Sequence, residues 1–230
     1  MKINFENVVE LSHDMLPNEE NKEFFQLDTD VYDVTTKMPQ VTHRDDIWYV
    51  LSDITFNSHI STHIEFPFHH WQEGQDAMTY PIDKLVANCV ALDFTHKKPG
   101  EPISLDEIKA AGGEIQKGDI IFIKTGCDKY FKTPDWELQP YLTEEACDWL
   151  ITEKSPIVIG TDASGFEVPG TQYQPNHLNM FKHGIAMIES ATNLAALGDE
   201  RALCFILPLK IKGIDACPVR IVAIKDGGIA

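Results

Sequence analysis

The run His59-Ile60-Ser61-Thr62-His63-Ile64-Glu65-Phe66-Pro67-Phe68-His69-His70 holds four histidines and one carboxylate within twelve residues, and its alternation predicts its backbone. On a helix His59 and His63 share a face while Glu65 points away; in an extended chain His59, Ser61, His63 and Glu65 all project to one side. Ile60, Thr62, Ile64 and Phe66 then project to the other, a mostly β-branched or aromatic set that suits a strand packed on a core. Pro67 ends or kinks that ladder, and His69 and His70 follow just past the bend. Burying such a polar set with no function costs roughly 1–3 kcal/mol for each unsatisfied group. Exposing it leaves the interleaved Ile and Phe residues without a reason. Neutral imidazoles and an ionised carboxylate converging on one point are what a metal ion needs, so the run predicts metal ligation or acid/base chemistry.

Working outward, short apolar β-rich runs recur at Val8–Leu11, Ile47–Leu51, Leu85–Leu92, Ile120–Ile123, Ile157–Ile159, Leu203–Leu207 and Val219–Ile224, each bounded by turn residues. Helical patterns are fewer. Ser104-Leu105-Asp106-Glu107 opens one with a capping-box spacing that Gly112-Gly113 stops, and Thr143 opens another that runs through Leu150 and precedes the strand at Ile157. A helix feeding such a strand predicts that part of the sheet is parallel. With no repeat, low-complexity tract or linker-like stretch, residues 1–230 are expected to form one α/β domain with a mixed sheet and more strand than helix.

Composition narrows the partners. The chain has 230 residues, 43% hydrophobic and 24% charged, which is ordinary globular composition, and its formal net charge is −17. Such a charge repels a nucleic-acid backbone or an anionic membrane surface, and the 19 basic residues form no run that would reverse this. Cys89, Cys127, Cys147, Cys204 and Cys217 are scattered, odd in number and without a Cys-x-x-Cys pair, a pattern expected of reduced thiols in a cytoplasmic protein. No stretch reads as a signal peptide or a membrane span.

A second constellation lies in Asn176-His177-Leu178-Asn179-Met180-Phe181-Lys182-His183-Gly184-Ile185-Ala186-Met187-Ile188-Glu189. Taken alone it is ambiguous. His177 could cap a helix, His183-Gly184 could end one with a cation at its negative pole, and Glu189 could be a surface charge.

In these residues the chain resembles the metal-dependent cyclase family that includes bacterial kynurenine formamidases and isatin hydrolases. The family signature His-x-Gly-Thr-His-x-Asp-x-Pro-x-His is matched in spacing by His59, Thr62, His63, Glu65, Pro67 and His69. Gly118–Gly126, Gly160–Ser164 and Cys217-Pro218-Val219-Arg220 also fit the family pattern. The resemblance implies a swivelling β/β/α fold, assembly as a homo-oligomer (dimer or tetramer), and a centre of one or two divalent ions, Zn or Mn. It implies that His59, His63 and Glu65 hold one metal, that Glu65, His177 and Glu189 hold a second with Glu65 bridging, and that His69 is the catalytic acid/base. Two departures stand inside the motif. Ser61 occupies the usual Gly position and adds a Cβ and a hydroxyl, and Glu65 replaces Asp, extending the carboxylate by one methylene.

The activity implied is hydrolysis of a small amide, lactam or lactone by a metal-bound hydroxide, with His69 moving the proton. Trp71, beyond the bend, is the aromatic candidate for contact with a planar substrate, and Ser61 is a second substrate-binding candidate. Two rival readings are a metal-dependent lyase or cyclase that consumes no water, and a non-catalytic metal- or ligand-binding member of the family. Two imidazoles and a carboxylate suit zinc and manganese alike.

Overall fold

The unbroken apolar run that suits a strand buried on both faces is plainest in Ile120-Ile121-Phe122-Ile123, and in the computed structural model, which describes residues 3–17 and 26–225, this segment lies near the middle of a nine-stranded sheet. Thirteen strands occur among the described residues: β1 (Val8–Glu10), β2 (Leu27–Asp33), β3 (Val50–Phe56), β4 (His63–Glu65), β5 (Val86–Asp93), β6 (Pro102–Ile103), β7 (Ile120–Lys124), β8 (Tyr141–Leu142), β9 (Val158–Thr161), β10 (Ala186–Glu189), β11 (Ala202–Leu207), β12 (Ala216–Pro218) and β13 (Arg220–Lys225). The large sheet runs β1-β13-β11-β5-β7-β9-β10-β4-β12. Its centre, β5-β7-β9-β10, is parallel, and every other neighbouring pair is antiparallel. The mixed sheet and the excess of strand over helix agree with the sequence reading.

Side-chain parity divides the core in two. A short helix α1 (Val34–Lys37) follows β2, and Ile121, Ile123, Ile159 and Met187 face the helices α2 (Leu105–Ala111), α3 (Glu144–Trp149) and α4 (Pro175–Lys182), packing on Ile108, Ala146, Met180 and Phe181. Ile120, Phe122, Val158 and Ile188 face the other way, towards Val9, Ile64, Phe66, Ile206 and Ile221. Gly160 sits on this second face because nothing larger fits: a Cβ there would lie 2.7 Å from the Phe122 ring.

The helix ends follow the sequence signals. The Glu107 carboxylate accepts from the Ser104 backbone N–H at 2.9 Å, and Thr143 Oγ1 accepts from Ala146 N at 3.3 Å. All five cysteines are unbridged and buried. No helix among the described residues is long and apolar enough to cross a membrane.

One predicted strand is displaced. Ile47-Trp48-Tyr49 precedes the strand, which begins at Val50, and Trp48 is 85% exposed. The cause is a turn in which Ile47 N donates to Arg44 O at 3.0 Å, so the β propensity of these residues finds no partner strand. Strand β3 pairs instead with β2, a segment too rich in Asp to read as a strand, in a separate two-stranded sheet.

Candidate metal centre

Strand β4 is three residues long and lies between β10 and β12. Ile64 points into the apolar core, so His63 and Glu65 point to the opposite, helix-bearing face. The register Glu189↔His63 between β10 and β4 sets those two side chains across from each other on that face. Helix α4 carries His177 above them.

The extended reading holds for His63 and Glu65 but not for His59, a correction to the sequence analysis. Residues 58–62 form turns and bends, and Ser61 adopts φ +58°, so His59 reaches the cluster by a loop rather than from a shared strand face. The left-handed backbone explains why a Gly at this position suits the fold. Ser61 is 6% exposed and its hydroxyl has no hydrogen-bond partner. Relieving the positive φ and deleting the unsatisfied hydroxyl outweigh the added flexibility of glycine, so Ser61→Gly is expected to stabilise the fold by about 1 kcal/mol. An unchanged or lower urea midpoint would contradict this.

After β4, Pro67 opens a short 3-10 turn, Pro67–His69, that redirects the chain. Gly74 folds back on this turn so closely that a Cβ would lie 2.5 Å from the Pro67 carbonyl carbon. The turn brings both of its trailing histidines inward. His70, which an extended chain would point away, stacks on His177 with ring centroids 5.4 Å apart and planes at 19°. Burial and the neighbouring His69 and His177 push its pKa down to about 4, so its ring is neutral at physiological pH.

Glu65, 2% exposed, is the hub. Its Oε1 lies 3.2 Å from His59 Nε2, 3.4 Å from His63 Nε2 and 4.0 Å from His69 Nε2. Its Oε2 lies 3.7 Å from His177 Nε2. Glu189 completes the set, with Oε2 3.6 Å from His63 Nε2 and Oε1 3.3 Å from His177 Nε2. The backbone of Gly165 approaches Glu189 closely: a Cβ there would lie 3.0 Å from Oε1. All six residues named for metal and proton chemistry in the sequence therefore converge. Two groups have ligand atoms within 4.8 Å of one another, His59/Glu65/His69 and His63/Glu65/Glu189. This grouping differs from the one the resemblance implies, because it sets His69 rather than His63 beside His59.

Four imidazoles share one orientation: Nδ1 is engaged on the outside and Nε2 faces the carboxylates. His63 Nδ1 donates to Ser61 O at 2.9 Å, His177 Nδ1 to Glu167 Oε1 at 2.8 Å, and His69 Nδ1 to Asp215 Oδ2 at 2.9 Å, while His59 Nδ1 lies 3.1 Å from Ser58 Oγ. Metal-ligating histidines are held in this way. His59 Nε2 and Glu65 Oε2 are buried with no hydrogen-bond partner, which a cation between them would remedy. The donor set, imidazole nitrogen and carboxylate oxygen, fits zinc or manganese.

Electrostatics agree. Burial disfavours the His177 cation, but the Glu167 and Glu189 carboxylates outweigh it and raise its pKa to about 10. Burial likewise opposes ionisation of Glu65, yet the His59, His63 and His177 imidazoles around it hold its pKa well below the usual carboxylate value. A divalent cation and the Nε2 proton compete for the same lone pair, so binding the cation expels protons.

Glu167, Asp215 and Ser58 were missed by the sequence analysis. Asp215 precedes β12 after Lys212-Gly213-Ile214, where only the glycine signalled a turn, and nothing marked Glu167 or Ser58. Thr62 and Asp162, near the site in sequence, hold its frame. Thr62 Oγ1 donates to Ser190 O at 2.5 Å, tying the loop to the exit of β10. Asp162 accepts from Thr125 N and Gly126 N, both at 2.8 Å. Trp71 is 41% exposed, two residues beyond His69.

Known proteins similar to this chain identify its family. A model of a family described as putative cyclase matches residues 9–168. The chain is 28% identical over 204 residues to an isatin hydrolase of Roseibium aggregatum, covering 77% of this chain and 73% of that protein. It is 24% identical over 186 residues to a kynurenine formamidase of Erythrobacter litoralis, covering 76% and 78%. A solved structure described as a potential metal-dependent hydrolase with cyclase activity superposes with a TM-score of 0.70 at 26% identity, covering 94% of this chain and 96% of that one.

Proposed function

The chain belongs to the putative cyclase family, and from that membership we propose that it is a metal-dependent hydrolase of a small amide, lactam or lactone. The observation that carries the reading is the inward convergence of four Nε2 atoms on the Glu65 and Glu189 carboxylates, with the Nδ1 side of each ring engaged outside. His59, His63, Glu65, His177 and Glu189 would hold one or two zinc or manganese ions, with Glu65 shared. Such an ion activates water and polarises a carbonyl at neutral pH.

The chain's own residues supply the rest. His69 is the proton carrier: its Nδ1–H is held by Asp215, which leaves Nε2 free to take a proton from water and return it to the leaving nitrogen or oxygen. His70, neutral and stacked on His177, shields that ligand from bulk solvent. Trp71, two residues beyond His69 in the chain, offers a partly exposed aromatic surface for a planar substrate, and the Ser61 hydroxyl is a donor in want of an acceptor. The net charge of −17 supports a small-molecule partner over nucleic acid or an anionic membrane. Cytoplasmic location and assembly as a dimer or tetramer belong to the same reading. The β2–β3 hairpin, with Val31 53% and Ile54 59% exposed, offers apolar surface that a second copy would cover.

The test is elemental analysis of the purified protein, followed by chelation and metal rescue on a panel of N-formyl, lactam and lactone compounds in 18O-water. Metal-dependent turnover with 18O in the product is expected. Turnover without 18O would favour a lyase or cyclase, and metal without turnover would favour a non-catalytic role.

A further inference from the structure

We propose that Asp215 is a shared positioning residue: one carboxylate that sets the tautomers of two imidazoles of the centre, His69 directly and His59 through Ser58. The proposal deepens the hydrolase reading by naming what aims the proton carrier and one metal ligand together.

The argument is a count of protons. An ionised carboxylate only accepts hydrogen bonds. Asp215 Oδ2 lies 2.9 Å from His69 Nδ1, so the proton of that bond resides on Nδ1, and Nε2 is left with its lone pair towards Glu65. Ser58 Oγ lies 3.1 Å from Asp215 Oδ1 and 3.1 Å from His59 Nδ1. A hydroxyl has one proton to give. Because Asp215 cannot donate, that proton goes to Oδ1, and Ser58 must accept from His59 Nδ1–H. His59 is thereby also fixed with a bare Nε2, 3.2 Å from Glu65 Oε1. The remaining approach, Asp215 Oδ2 to His59 Nε2 at 3.7 Å, is too long for a hydrogen bond and does not compete.

The backbone keeps Asp215 in register. Phe66 N donates to Asp215 O at 2.8 Å, and the next residue, Ala216, pairs with Glu65. The carboxylate is thus tied to the strand that bears the hub ligand, and any movement of β4 carries Asp215 with it.

Nitrogen-15 histidine NMR of the protein as purified, with Asp215→Asn and Ser58→Ala, tests this. In the wild type His59 and His69 should both show protonated Nδ1 and unprotonated or metal-bound Nε2. In Asp215→Asn the amide can donate to His69 Nδ1, so His69 should switch to the Nε2–H form, and His59 should lose a single tautomer. Ser58→Ala should release His59 alone and leave His69 unchanged. Zinc titration of the stripped proteins should show Kd weakened about 10–100-fold in both variants. The proposal fails if either wild-type tautomer is the reverse, if His69 is unchanged in Asp215→Asn, or if Ser58→Ala keeps the wild-type His59 signal. Ser58→Ala keeps the test alive should Asp215→Asn fold poorly. Wild-type protein that shows both tautomers yet binds no metal would sink the hydrolase reading and leave this one standing.

Discussion

Glu65→Gln is expected to strip the protein of metal, with zinc or manganese affinity falling by about 100-fold or more and turnover falling with it. The side chain is 2% exposed and lies within 4.0 Å of four imidazole nitrogens, those of His59, His63 and His69 beside Oε1 and that of His177 beside Oε2. Glutamine keeps the shape, removes the charge, and turns one oxygen into an NH2 group that can only donate. Removing one member of a buried charged set costs about 3–5 kcal/mol, because the others keep their desolvation penalty without their partner. At about 1.4 kcal/mol per tenfold, the loss is 100-fold at the least. Calorimetric titration of the stripped variant against wild type measures it. A Kd within threefold of wild type would show that Glu65 is not the hub of a metal site.

His69→Ala is expected to behave in the opposite way, keeping the metal while kcat falls by about 10²-fold or more. A positioned general acid/base contributes about 10²–10⁴ to the rate. The alanine leaves His59, His63, His177, Glu65 and Glu189 in place. The experiment has force because His69 Nε2 also belongs to one of the two close ligand groups. Metal content and kcat measured on the same preparation decide between proton carrier and ligand. Loss of the ion along with the rate would reassign His69 as a ligand, and full turnover would remove it from the chemistry.

The signals that could be read in the sequence were local. The continuous apolar run Ile120–Ile123 marked a strand, and Ser104, Glu107 and Thr143 marked helix starts through contacts that span only three residues. His63 and Glu65 were legible because a period of two is a property of the chain alone. Whatever depends on a distant partner was not. His59 enters by a loop whose φ +58° at Ser61 leaves no trace in a serine. Asp215 is 146 residues from the histidine it holds, and Glu167 is 10 residues from His177 with a turn between. Pairing of β2 with β3 was hidden because its acidic residues lower β propensity, and the pairing is decided by register rather than composition.

The placement of β4 between β10 and β12 has a further consequence for how the molecule comes to exist. Its three residues pair with segments more than 120 positions later, so a newly made chain cannot assemble the ligand cradle until most of its length has folded. A slip of one position on either flank would turn His63 and Glu65 into the oily interior and Ile64 out of it. An ion held by that arrangement alone would act as a proofreader of the finished topology, rewarding the right pairing by mass action and giving nothing to the wrong one.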